Sequence, residues 1–242
     1  MADWLADLKA DFILNFVTDN RWRYLTDGLV TTLKITLFAV ILGVVIGTVV
    51  AIVRATWDKN SPGMRRGLGY SVLKLVDAVC RLYLTVIRGT PVVVQLMIMY
   101  YIIFAASNNG VLIAILAFGI NSGAYVAEII RGGIMSIDKG QFEAGRSLGF
   151  NYVQTMWHII LPQSLKNVLP ALANEMITLL KETSVAGYVA VADLTKGGDI
   201  IRGVTYSPFM PLIAVALIYL VIVVILTKLV GVLERRLRRS DR

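Results

Sequence analysis

Five polar side chains occur within or beside long apolar stretches, where they would meet a charged or polar solute. Charge near the middle of a bilayer is costly, so such groups usually face a partner or a cavity. At about 1.5 Å of rise per residue, Glu175 lies ~16 Å into its apolar segment, and Asn121 and Tyr100 lie ~15 Å and ~14 Å into theirs. Thr178 and Glu182 extend the face of Glu175 at helical spacing. These residues are candidates for a substrate path; for Glu175, a helix-to-helix hydrogen bond is the alternative.

Motifs for covalent chemistry are missing from the sequence. It contains no G-x-x-x-x-G-K-[ST] loop that would cradle ATP, and no H-E-x-x-H or G-x-S-x-G motif. His158 is the only histidine, and the lone Cys80 excludes an internal disulfide and a cysteine-rich metal site. We therefore expect a protein that moves a solute, with no catalytic residue, metal or cofactor of its own.

The elements that position these side chains are membrane-length apolar segments. The chain has 242 residues, is 57% apolar and has a mean hydropathy of +0.70, which is too apolar for an ordinary soluble domain. A bilayer core takes about 20 helical residues. The charge-free stretch 89–127 is too long for one helix, and turn residues at 107–110 divide it. The predicted fold is an all-α membrane protein with five spans, at about 28–53, 91–106, 111–131, 164–187 and 207–227.

Two further segments are predicted to lie at the membrane surface. In 71–87, Lys74, Asp77, Arg81 and the following Arg88 fall near helical spacing on one face, which favours an interfacial or lead-in helix over a sixth span. Residues 1–23 are predicted to form an external interfacial helix and lead-in, and 24–242 a single transmembrane domain. A frayed N-terminus is the alternative for the first segment.

The positive charges predict the orientation. The formal net charge is +8, and basic residues flank the apolar runs, a pattern that favours membrane orientation over a nucleic-acid surface. With five spans, the basic connections 54–70 and 132–163 and the basic tail fall on one side. That side is predicted to be the cytoplasm, which places the N-terminus outside and the C-terminus inside.

A short polar helix is predicted between the third and fourth spans. Asp138 is suited to cap it, with Gln141 three residues later as in a variant capping box. Gly149 suits the left-handed residue that ends a helix. Nine residues separate this glycine from Ile159-Ile160-Leu161-Pro162. A polar helix held between two spans suggests a soluble partner.

This stretch resembles the EAA loop (E-A-A-x-x-x-G, nine residues, I-x-L-P) of ATP-binding-cassette (ABC) importer permeases. Gly145 stands where the pattern has alanine, which weakens the helix by ~1 kcal/mol. Three other pieces resemble the polar amino-acid branch of that family, and the resemblance covers roughly 24–239. They are Arg88-Gly89-Thr90-Pro91, Tyr125-Val126-Ala127-Glu128-Ile129-Ile130-Arg131-Gly132-Gly133 and Leu169-Pro170-Ala171-Leu172-Ala173-Asn174-Glu175.

The resemblance implies a permease subunit with the type I importer fold, in which the polar helix couples to a separate ATPase. Glu143 and Arg146 would be its exposed polar contacts, and Ala144 and Gly145 its close-approach surface. Gly149 and Pro162 would complete the coupling motif.

The resemblance also implies partners and a location. These are an ATPase that holds ATP and magnesium, a second identical or paralogous permease, an extracytoplasmic binding protein received near 193–202, a polar amino acid, and the bacterial cytoplasmic (inner) membrane. An ATP-independent secondary amino-acid transporter is the alternative function. The identity of the amino acid stays open.

Overall fold

The protein is helical throughout its regular structure. The computed structural model describes residues 2–239, except for the side chains of 2–4, 60, 62, 238 and 239, so the predicted cytoplasmic C-terminal residue lies outside the described residues. No strand occurs in the described range, which confirms the all-α prediction. The helices are α1 (Ala2–Phe12), α2 (Trp22–Asn60), α3 (Leu68–Arg88), α4 (Val92–Ile98), α5 (Gly110–Met135), α6 (Lys139–Ser147), α7 (Tyr152–Thr155), α8 (Leu161–Glu182), α9 (Leu194–Thr205) and α10 (Phe209–Arg239).

Three described helices are long and apolar enough to cross a membrane. They correspond to the predicted first, third and fifth spans and run beyond the predicted cytoplasmic ends. A fourth span is reached only if α3 and the segment Val92–Ile103 are counted together as one broken span. The three single helices are Trp22–Lys59, Gly110–Met135 and Phe209–Leu237.

The predicted second and fourth spans are less clear in the structure. After α4, a π-helical turn Met99–Ile103 ends the helix three residues before the predicted end of the second span. Helix α8 holds Lys166, Glu175, Lys181 and Glu182, and it is not among the helices apolar enough to span a bilayer alone. Five spans therefore remain a prediction.

The chain divides into two compact units, and α2, α5, α8 and α10 contribute residues to both. The first unit comprises Met1–Ala39, Val92–Phe118 and Ile177–Thr227. The second comprises Val40–Pro91, Gly119–Met176 and Lys228–Arg242.

The first unit anchors the N-terminal segment. Asn15 is fully buried: its amide donates to the Ser207 hydroxyl at 3.2 Å and accepts from the Thr205 hydroxyl at 2.9 Å. Phe16 packs in a buried apolar cluster with residues of α2, α9 and α10. Residues 15–16 are therefore fixed by tertiary contacts, which argues against fraying of the lead-in to α2.

The second unit is built around close packing of α2 against α5. A Cβ atom on Gly47 would lie 2.5 Å from Val126, and one on Gly119 would lie 2.6 Å from Leu42. Glycine at these positions lets the two backbones approach. The neighbouring core contains residues of α2, α3 and α5: Val50, Leu84, Ala124 and Ala127. This packing holds α5, the helix that precedes α6, against α2 and α3.

Candidate functional site

Helix α6 has a defined beginning and end. The Gly140 amide donates to the Asp138 carboxylate at 2.7 Å, so Asp138 is the N-cap of α6, as predicted. Gly149 has a φ of +80°, in the left-handed region that favours glycine. The Phe150 amide donates to the Gly145 carbonyl at 3.0 Å and the Gly149 amide to the Arg146 carbonyl at 2.9 Å. This pair of bonds is a Schellman motif, so the predicted glycine stop is confirmed.

The capping box forms one helix later than expected. The backbone amide of Gln141 donates to the Asp138 carbonyl at 3.1 Å, but its side-chain oxygen accepts from Gln163 at 3.2 Å and does not complete a capping box. Asn151 and Gln154 instead exchange side-chain and backbone hydrogen bonds of 2.9 Å and start α7. The spacing Asn151-x-x-Gln154 carried this signal in the sequence. Helix α7, the π-helical turn Met156–Ile160 and α8 follow one another directly.

The surface of α6 presents part of the predicted contact set. Glu143, Ala144 and Arg146 are exposed, whereas Gly145 is buried. A Cβ atom at Gly145 would lie 2.6 Å from the Thr155 methyl carbon. Gly145 thus serves the approach of α6 to the following helix of the same chain, which differs from the expected surface role. Leu148, 71% exposed, was not predicted and adds an apolar side chain beside this surface.

Gly145→Ala is expected to lower the stability of this loop by up to about 2 kcal/mol, because overpacking against Thr155, about 1–3 kcal/mol, exceeds the ~1 kcal/mol gain in helix propensity. Limited proteolysis of the loop in the purified protein measures the effect. The double variant Gly145→Ala/Thr155→Ala removes the crowding atoms and is expected to restore resistance to the protease. Equal resistance of wild type and Gly145→Ala would contradict this account.

Helix α6 also encloses a cavity of about 370 Å³ with the ends of α2 and α5. Lys59 of α2 lies over the rings of Phe142 of α6 and, at 5.2 Å from the centroid, Tyr152 of α7. Such cation–π contacts connect α2 to α6 and α7.

Pro162 is the second residue of α8, the helix that begins where the π-helical turn ends. Proline has no amide hydrogen for the helical ladder, and a locally widened turn is one way to accommodate it.

Glu175 of α8 contacts α5 at Ser122, next to Asn121. The Ser122 hydroxyl donates to the Glu175 carboxylate at 3.0 Å. Asn121, the residue before Ser122, is 3% exposed. Glu175 therefore makes the helix-to-helix hydrogen bond that was the alternative to a substrate role. The half-buried carboxylate keeps a second oxygen, so the bond does not exclude that role.

The other three candidates belong to the first unit. Tyr100 packs edge-on against Tyr101, with ring centroids 4.9 Å apart. Thr178 is exposed and Glu182 is half-buried on α8. The five predicted path residues are thus divided between the two units.

An ionic network that the sequence did not reveal lies in the second unit. Asp77 of α3, 3% exposed, accepts from Arg54 of α2 and from Arg81, both at 2.7 Å. Glu128 pairs with Arg131 at 2.9 Å. Arg131 also lies 3.6 Å from Asp58 of α2. The charged face of α3 was visible in the sequence, but its partner Arg54, 23 residues away, was not.

The predicted outer surface near 193–202 is helix α9. Asp193 caps it by accepting from the Thr195 and Lys196 amides. Asp199 pairs with Lys196 and Arg202, and these cations hold the pKa of its carboxyl below the ordinary value. Gly197 and Gly198 are buried, so they serve packing and are not part of the exposed face.

Comparison with known proteins agrees with this arrangement of helices. The family described as "Binding-protein-dependent transport system inner membrane component" matches residues 67–239. The chain belongs to this family. Two relatives of the permease are a putative glutamine transport system permease protein of Rickettsia typhi and the arginine transport system permease protein of Bacillus subtilis. Both are 36% identical; the first match covers 88% of this chain and 93% of the relative, and the second 90% and 94%.

A solved structure extends the likeness to three dimensions. A chain in the crystal structure of an amino acid ABC transporter with histidines is 40% identical to the permease, with a TM-score of 0.79. The match covers 91% of this chain and 98% of that one. The protein is therefore a membrane permease subunit of a transport system, and the sequence-based assignment of the family is confirmed.

Proposed function

We propose that the chain is the permease subunit of an ATP-driven importer of polar amino acids. The observation that carries the proposal is α6: a nine-residue polar helix fixed at both ends between membrane helices, with Glu143, Ala144 and Arg146 exposed. Relatives with 36–40% identity are named for glutamine, arginine and amino-acid transport.

In the proposed assembly, α6 docks on a separate ATPase that holds ATP and magnesium, and a second permease completes the path. The five predicted spans place α6 and the C-terminus in the cytoplasm and the N-terminus outside. Helix α9, with its surface ion pairs, faces the binding protein. Because both ends of α6 are capped and Gly145 packs on Thr155, a push on α6 is passed to α5 and α8 as a rigid displacement. Closure of the ATPases draws the two coupling helices together and opens the path outward; release of hydrolysis products reverses it.

Uptake in proteoliposomes tests the function. The permease is reconstituted with the ATPase and binding protein encoded beside it, and uptake of radiolabelled arginine, glutamine and glutamate is followed with ATP or a non-hydrolysable analogue inside. ATP-dependent uptake of at least one of them is expected. Uptake that proceeds without ATP hydrolysis would instead identify a secondary transporter.

Glu175→Gln is expected to reduce uptake, with the largest loss for arginine. The variant keeps the shape and a hydrogen bond to Ser122 but removes a charge from a poorly screened site. We expect a roughly tenfold loss for arginine, equivalent to about 1.4 kcal/mol, with ATPase assembly retained. The proteoliposome assay above measures it, with Asp27→Asn on the exposed end of α2 as the control. Unchanged rates for all three amino acids would assign Glu175 to helix packing alone.

A further inference from the structure

A second cleft, separate from the α6 cavity, is rich in arginine. It has a volume of about 340 Å³ and lies within the second unit. On α3, Arg81, Thr85 and Arg88 follow one another at i, i+4 and i+7, which places a hydroxyl between two guanidinium groups on one helix face. The lining residues are Arg54, Arg81, Leu84, Thr85, Arg88 and Glu128.

The positive charge of this cleft is only partly neutralised. Arg54 and Arg81 share the carboxylate of Asp77, Arg54 also lies 3.7 Å from Asp58, and the buried Nε of Arg54 has no hydrogen-bond partner among the described residues. Arg88 is exposed and lies 5.7 Å from the ring centroid of Tyr125; within the described part of the chain it forms no ion pair. Glu128 already bonds to Arg131. The cleft therefore offers guanidinium donors to an anion, and arginine matches phosphate oxygens in a bidentate geometry.

Beside Thr85, the surface of α3 becomes apolar and exposed. Leu82, one turn before Thr85, is 64% exposed, and Val79 and Val86 continue this face at 60% and 49%. A soluble anion would make no use of these side chains, whereas the acyl chains of a lipid would cover them. A basic pocket between helices, next to an apolar helix face, is a pattern that recognises anionic lipid headgroups.

We propose that the cleft binds the phosphodiester headgroup of an anionic phospholipid. The phosphate lies between Arg81 and Arg88, within reach of the Thr85 hydroxyl, and the acyl chains follow the exposed apolar face of α3. The cleft is lined by residues of α2, α3 and α5, so the lipid joins three helices that meet near the predicted cytoplasmic ends of the spans. This proposal depends on the membrane location of the permease and not on which solute it carries.

Lipid retention by the purified full-length chain tests the site. The protein in detergent is mixed with equal amounts of phosphatidylglycerol and phosphatidylcholine, and bound lipids are counted by native mass spectrometry. We expect phosphatidylglycerol to be retained preferentially and to raise the thermal midpoint. Arg88→Gln is expected to lower its retention about tenfold through loss of a charge-assisted bidentate contact. The matched control, Lys74→Gln, removes one exposed charge from the same helix outside the cleft and is expected to retain lipid like the wild type.

Arg88 makes no ion pair in the described chain, so its variant is expected to fold, and size-exclusion elution checks this. Equal loss in Arg88→Gln and Lys74→Gln would mean diffuse electrostatic attraction and overturn the site. Displacement of the lipid by millimolar glycerol phosphate or inorganic phosphate would assign the cleft to a free phosphate. Displacement by arginine or glutamine would assign it to the transported amino acid. Either displacement overturns the lipid proposal, and resistance to both supports it.

Discussion

Asp77→Ala is expected to destabilise the protein by about 3–5 kcal/mol. The variant removes the 2.7 Å partner of Arg54, at a site where the Asp77 side chain is almost completely buried, and leaves Arg54 only the longer contact of 3.7 Å with Asp58. Removing one member of a buried ion pair costs more than the pair contributes, because the remaining charge is left desolvated without a close partner.

The protein contains its own reporter for this experiment. Cys80 is the only cysteine and lies half-buried on α3, one turn from Asp77. A dye that fluoresces on reaction with thiols therefore follows the opening of α3 during heating. We expect the midpoint to fall by roughly 10 °C in Asp77→Ala. Asp27→Ala, at an exposed position of α2, is the control; an equal shift in both variants would contradict the buried ion pair as the cause.

Gly149→Val is expected to lower ATP-dependent uptake and ATPase association at least about tenfold, although the chain still inserts in the membrane. At φ +80° a β-branched side chain costs roughly 1–2 kcal/mol or more, so the Schellman motif opens and α6 loses its fixed end. Co-purification with the ATPase and uptake in proteoliposomes are the two measurements.

Gly63→Val is a close control for this variant. At both glycines, a Cβ atom would meet no atom of the described residues within 4 Å apart from those of its chain neighbours, but only Gly149 has a positive φ. Crowding is therefore equal at the two positions, and the backbone conformation differs. Full activity of Gly149→Val, or an equal loss in Gly63→Val, would contradict a mechanical role for the end of α6.

Local signals in the sequence were sufficient to predict where α6 begins and ends. An N-cap such as Asp138 and a left-handed glycine such as Gly149 act through hydrogen bonds to residues within one turn. The inward orientation of Gly145 was not predictable in the same way. It depends on Thr155, which belongs to the next helix, and no pattern within α6 specifies that contact.

Hydropathy was sufficient to predict the apolar spans, whereas polar contacts between helices could not be predicted from the sequence. Hydropathy identifies α2, α5 and α10 because their composition is apolar over at least 18 residues. Helix α8 is different, because its polar residue Glu175 accepts a hydrogen bond from Ser122 of another helix, α5. The pairing of Arg54 with Asp77 likewise requires α2 and α3 to lie side by side, and the spacing of residues along either helix does not predict this.

The length of α2 has a consequence for how force travels through the subunit. Its 39 residues extend over about 58 Å, nearly twice the ~30 Å of a bilayer core. At its C-terminal end, Lys59 lies over the aromatic rings of Phe142 of α6 and Tyr152 of α7. Helix α6 is also tied to the helices that follow it, by the packing of Gly145 on Thr155 and by the hydrogen bond from Gln163 to Gln141. In the proposed assembly, an ATPase that displaces α6 would therefore also move α2 through Lys59, and the force would be divided among α2, α5 and α8.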